Sequence, residues 1–237
     1  MARTTTVACD GGEMTMHVWI PDSGSGAGLL LIQEIFGVGP YIRAVAGRLA
    51  AAGYVVGAPD VFWRFAPRWE AGHDQAGLDA SMALVGQLDP VAATGDCEAA
   101  LSALADLDEV SGTPGVIGFC LGGTLAWGVA MAAEPACCIS YYGSGVPAML
   151  DGIDSVACPT LFHFGNADAF IPNEGVEAVN AAIAGRPGFV LNVENAGHAF
   201  DNHESEMFWN ESAAHAAWAK TMAFLAENLP TGAPQRH

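Results

Sequence analysis

Cys120 stands in the run Gly118-Phe119-Cys120-Leu121-Gly122-Gly123, with a glycine two positions to either side. This is the G-x-S-x-G pattern with sulfur in place of the hydroxyl. Its chemistry needs a sharp turn that holds a nucleophile in a strained backbone, and glycines let neighbouring chains approach such a turn. A helix starting at the turn aims its partial positive charge at the nucleophile, favouring a thiolate and a developing oxyanion. An activated thiol also needs a base within reach and a carboxylate to orient that base. His198, in Asn195-Ala196-Gly197-His198, and Asp168, in Gly165-Asn166-Ala167-Asp168, are the candidates. Taken singly, Asp168 reads as a turn cap and His198 as a loop histidine. Their joint placement carries the case, because nucleophile, acid and histidine each follow a predicted strand, in that chain order. The other six histidines lack this context, and His163 falls inside a strand-like run.

The elements that must hold these residues are legible as an alternation. Apolar runs and period-two patterns predict strands over 15–20, 29–33, 54–58, 114–119, 137–142, 160–164 and 189–193. Helical spacing predicts helices over 41–52, 74–88, 91–107, 121–133, 173–184 and 208–229. Repeated strand-then-helix units imply the α/β class, with a mostly parallel central sheet and helices on both faces. Ligands in such sheets sit at the carboxyl ends of strands, where Cys120, Asp168, His198 and the loop Gln33-Glu34-Ile35-Phe36-Gly37 all fall. The chain order of the three residues is that of the α/β-hydrolase fold. In that fold the loop after the strand at 29–33 gives one oxyanion N–H, and the residue after the nucleophile, Leu121, gives the other. We expect one domain over 1–229 and a loose tail over 230–237.

Composition narrows the function classes. The 237 residues are 51% hydrophobic and 14% charged, enough for a large core. Eight Lys and Arg against 26 Asp and Glu leave a net charge of −18, so no basic footprint for nucleic acid or an anionic membrane exists. No apolar run approaches the roughly 18 residues of a membrane span, and the first residues lack the apolar stretch of a signal peptide. The six cysteines show no C-x-x-C and no zinc-ligand spacing. The expectation is a cytoplasmic enzyme-sized globule, a monomer or weak homodimer.

The motifs Gln33-Glu34-Ile35-Phe36-Gly37, Pro59-Asp60, Gly118-Phe119-Cys120-Leu121-Gly122-Gly123, Tyr141-Tyr142-Gly143, Asp168 and Gly197-His198 resemble those of the dienelactone hydrolases (carboxymethylenebutenolidases) over nearly the whole chain. The resemblance implies that Cys120 attacks, His198 is the base and later the acid, and Asp168 orients His198. It implies oxyanion N–H groups from Ile35 and Leu121, a Glu34 that contacts the thiol and controls its ionisation, and no cofactor. The sequence departs from that family where dienelactone-cleaving members hold the substrate carboxylate with two arginines, since those positions are Asn202 and Leu78. Arg64 and Arg68 are replacement cations to consider, and Phe36, Phe62, Trp63, Arg64, Tyr142, Phe200 and Asn202 are candidate pocket residues. The expected substrate is therefore a neutral or weakly polar ester, lactone or thioester. The competing expectation is a non-hydrolytic protein on the same fold that uses Cys120 as a redox-responsive thiol.

Overall fold

The computed structural model describes residues 2–231. The part of the expected tail beyond Thr231 lies outside them. Eight strands form one sheet: β1 (Ala2–Cys9), β2 (Gly12–Trp19), β3 (Gly26–Ile32), β4 (Val55–Pro59), β5 (Val110–Phe119), β6 (Cys138–Tyr141), β7 (Thr160–Gly165) and β8 (Phe189–Glu194). Their order across the sheet is β1-β2-β4-β3-β5-β6-β7-β8. β1 pairs antiparallel with β2, and β2 antiparallel with β4; every later pairing is parallel. The parallel strands read as apolar runs because helices cover both faces, and every residue of β3, β4, β6 and β7 is buried.

The helices are α1 (Pro40–Ala51), α2 (Gln75–Val85), α3 (Pro90–Ala105), α4 (Leu121–Ala132), α5 (Asn173–Ile183) and α6 (Glu211–Asn228), with a 3-10 stretch over Val146–Ser155. Their starts follow from local chemistry. Asp89 accepts from the Val91 and Ala92 N–H groups ahead of Pro90, whose missing N–H costs nothing at the first helical position. Asp74 caps α2 through the Gly77 N–H, and Asn210 caps α6 through the Ala213 N–H.

Two elements were absent from the expectation. β1 is polar and β-branched, and it joins β2 through Asp10-Gly11, with Gly11 at φ 80°. The other is the 3-10 stretch, whose backbone leaves helical geometry at Met149. The helix expected over 208–229 begins later, at Glu211, because the Asn210 side chain sets the start.

Candidate active site

The turn at Cys120 is built by what β5 and α4 cannot accommodate. β5 ends at Phe119, α4 begins at Leu121, and Cys120 between them sits at φ 55°, ψ −115°. Such backbone costs on the order of 1–3 kcal/mol and persists only where the surroundings enforce it. Here the Cys120 N–H donates to the Tyr141 carbonyl at 3.0 Å, tying the turn to β6. A side chain at Gly118 would strike the Gly122 carbonyl, and one at Gly122 would strike the carbonyls of Ile32 and Gln33. Both contacts are with backbone, which has no room to yield. Gly122→Ala is therefore expected to lose about 3 kcal/mol or more of stability, as overpacking against fixed atoms does. Urea denaturation checks this; a loss under about 1 kcal/mol would show that the turn tolerates a methyl.

The three spaced residues meet at this turn. His198 Nε2 lies 3.1 Å from Cys120 Sγ, and His198 Nδ1 donates to Asp168 Oδ2 at 2.7 Å. The other Asp168 oxygen accepts from the Phe170 and Ile171 N–H groups at 2.7 and 3.1 Å, which fixes the carboxylate. Burial disfavours a charged His198, yet the facing Cys120 sulfur and the Asp168 carboxylate outweigh it and push its pKa up to about 10. NMR titration of the His198 ring should show this elevation and a clear fall in Cys120→Ala. An unchanged value in that variant would remove the sulfur from the cause.

Glu34 lies beside them, 2% exposed. Its hydrogen bonds run away from the thiol. His73 Nε2 is 2.9 Å from Oε1, and Asn202 Nδ2 donates to both oxygens at 3.1 and 3.0 Å. Burial pushes the Glu34 carboxyl above its ordinary value, against these bonds, which favour the anion. Among the described residues, Glu34 hydrogen-bonds His73 and Asn202, which form a clamp on its carboxylate, rather than the Cys120 thiol. Asn202 is fully buried in that clamp and does not line the cavity at Cys120.

A cavity of about 210 Å³ opens at Cys120. Glu34, Ile35, Phe36, Leu121 and His198 line it, as do Leu78, Met82 and Val85 of α2 and the side chains of Phe170 and Phe208. Leu78, Met82 and Val85 recur at helical spacing, so one stripe of α2 forms a wall. A wider cleft of about 800 Å³ near Trp19, Gly47 and Ser111 has no cysteine or histidine among its described lining residues, so chemistry belongs to the smaller cavity.

Several sequence-expected pocket residues lie elsewhere. Tyr142 and Phe200 are fully buried behind the histidine; the Tyr142 ring is 5.2 Å from the rings of both His198 and Phe200. Phe62 is buried against Phe65. Trp63 Nε1 donates to Asp96 Oδ2 at 2.8 Å, and Arg64 grips the same carboxylate with bonds of 2.9 and 2.7 Å while stacking on Trp63. Arg68 gives its backbone N–H to Asp60. Neither arginine reaches the cavity. Arg64→Ala is expected to cost about 2 kcal/mol, less than a fully buried pair because Arg64 is part-exposed, by stranding the buried Asp96 carboxylate. It should leave KM for a carboxylate-bearing substrate unchanged. Thermal melts and kinetics on one preparation check both, and a raised KM would return Arg64 to the site.

The sequence reading missed His73, the α2 wall, Phe170 and Phe208. His73 carries no motif, since its role depends on a carboxylate 39 positions away. The α2 stripe was readable as a helix face, but nothing local says what that face covers. His163 meets its expectation as a structural histidine: Thr221 and Asn192 satisfy both ring nitrogens, and burial holds it neutral with a pKa of about 3.

Residues 14–229 match the model of the dienelactone hydrolase family. The chain belongs to the dienelactone hydrolase family. It is 32% identical over 223 residues to a carboxymethylenebutenolidase of Pseudomonas sp. (strain P51), covering 94% of this chain and 93% of that one. A carboxymethylenebutenolidase of Rhodococcus opacus is 34% identical over 229 residues, covering 89% and 85%. Among solved structures, the dienelactone hydrolase-like promiscuous phosphotriesterase P91 from metagenomic libraries superposes with a TM-score of 0.82 at 22% identity, covering 96% of this chain and 98% of that one. That likeness speaks for the fold. As a member of the family, the protein is a dienelactone hydrolase-like hydrolase with the α/β-hydrolase fold. No helix among the described residues is long and apolar enough to cross a membrane.

Proposed function

We propose that the protein hydrolyses neutral esters, lactones or thioesters through a Cys120–His198–Asp168 triad. The observation that carries this reading is the unbroken relay from sulfur to imidazole to carboxylate at the mouth of an apolar cavity. Cys120 Sγ attacks the acyl carbon while His198 holds the thiol proton. Backbone N–H groups of Ile35 and Leu121 meet the oxyanion; Leu121 opens α4, so its N–H has no partner within the helix. The tetrahedral adduct collapses, the C–O bond breaks, and His198 Nε2 gives its proton to the leaving oxygen. Water, deprotonated by His198, then attacks the acyl thioester; the C–S bond breaks and the acid departs.

Charge and lining support a neutral substrate. No arginine or lysine is among the described lining residues. Leu78 supplies part of an apolar wall, and Asn202 hydrogen-bonds Glu34. The relatives named carboxymethylenebutenolidases favour a lactone or ester bond over other acyl chemistry. Six free cysteines suit a reducing cytoplasm, where we place the enzyme as a monomer or weak homodimer.

The test is turnover of a neutral p-nitrophenyl ester and of a carboxylate-bearing dienelactone, side by side. The neutral ester should win by at least roughly tenfold in kcat/KM, the size expected when a buried anion finds no counter-charge. A clear preference for the dienelactone would overturn the neutral-substrate reading. Turnover of neither, with fast reversible oxidation of Cys120, would favour the redox-thiol reading.

A further inference from the structure

A second cleft, about 350 Å³, lies on the surface where α1 meets α6. Arg48, Asp201, His203, Trp209, His215 and Trp218 line it. None of these residues lines the cavity at Cys120. Three observations make it more than a surface dent.

The first is Arg48. In a chain with 26 acidic residues, Arg3, Arg43, Arg64 and Arg186 each hold a carboxylate partner. Arg48 holds none among the described residues, and its guanidinium lies 3.5 Å above the Trp218 ring. Stacking on an indole fixes the guanidinium plane while leaving its edge N–H groups free to bind. The second is Asp201, 2% exposed, on the floor of the cleft. Its Oδ2 accepts from Tyr41 Oη at 2.8 Å, but Oδ1 has no partner. A buried oxygen without a donor costs free energy that a bound donor would recover. The third is Trp209, 45% exposed, which gives the cleft a flat apolar wall facing solvent.

From these we infer that the cleft is a second small-molecule site, for a flat carboxylate that also carries a hydroxyl or amino donor. The carboxylate pairs with Arg48, with His203 and His215 beside it. The donor is directed at Asp201, whose buried Oδ1 lacks a partner, and the planar body lies along Trp209 and Trp218. A hydroxy acid and an amino acid share this chemistry. Burial raises Asp201 to a pKa of about 6, against the Tyr41 bond and the Arg48 charge.

The test is binding of 4-hydroxybenzoate to Cys120→Ala, by calorimetry and tryptophan fluorescence. Binding does not need a working nucleophile, so the outcome stands apart from the proposed activity. 4-Aminobenzoate separates the amino from the hydroxyl source, while benzoate lacks the donor and 4-hydroxybenzyl alcohol lacks the anion. We expect saturable binding of at least one two-function probe, at least several-fold tighter than either control. Arg48→Met should weaken it roughly tenfold, the typical worth of a charge-assisted contact. Trp209→Ala, at a half-exposed position, should weaken it several-fold. No saturable binding of either probe, equal binding of the controls, or binding indifferent to both substitutions would overturn the inference.

Discussion

Replacing Asp168 by asparagine is expected to lower kcat/KM roughly a thousandfold or more while leaving the fold intact. The reason is geometric. Oδ1 accepts from two backbone N–H groups, so an amide at this position must keep its oxygen there. The amide nitrogen then faces His198 Nδ1 and forces that atom to accept. The ring proton moves to Nε2, against Cys120 Sγ 3.1 Å away, and the histidine can no longer take the thiol proton. Wrong-tautomer substitutions in such relays cost up to about 10⁴ in rate. Two readouts check it: steady-state kinetics with the neutral ester, and NMR showing Nδ1 unprotonated at neutral pH, where the wild-type ring carries both protons. A variant within several-fold of wild type would mean that Asp168 does not set the tautomer.

The second large effect is expected at the nucleophile. Cys120→Ala should remove at least roughly 10⁴-fold of kcat/KM, because the acyl-enzyme route closes entirely. Cys120→Ser is the informative companion. A hydroxyl at φ 55° keeps the turn and the reach of His198, but its proton is far harder to remove than a thiol's. We expect the serine variant to retain a trace of activity that rises with pH, whereas the alanine variant stays flat. Equal activity in both variants would show that position 120 only shapes the site.

The features of fold and site that were legible in the sequence share a property: their signal is local. A glycine-flanked cysteine between an apolar run and a helical pattern specifies its own turn. Apolar runs near Leu29, Val116 and Leu161 specify strands buried on both faces, and their ends place the chemistry. β1 was readable too, since Asp10-Gly11 between extended runs is a hairpin signal. The strand itself is hidden because Arg3-Thr4-Thr5-Thr6 offers no apolar face.

What stayed hidden depends on partners distant in the chain. Arg64 near a strand end looks like a substrate anchor until Asp96, 32 residues on, takes its guanidinium in two hydrogen bonds. Aromatic side chains after β4 look like a pocket until Phe62 turns inward. Asn202 reads as a lost arginine, whereas in the folded chain it holds Glu34 across 168 residues. The wall of the cavity comes instead from α2, whose only fully buried residue is Ser81 and whose apolar stripe has meaning only once it is seen above Cys120.

The central claim is that acyl groups pass through the Cys120 sulfur. Intact-protein mass spectrometry of enzyme quenched with acid during turnover of a neutral p-nitrophenyl ester tests it most directly. The expected result is a single added acyl mass, mapped to the peptide carrying Cys120, absent in Cys120→Ala and longer-lived in His198→Gln. Full turnover with no adduct at any quench time, together with an active Cys120→Ala, would contradict it.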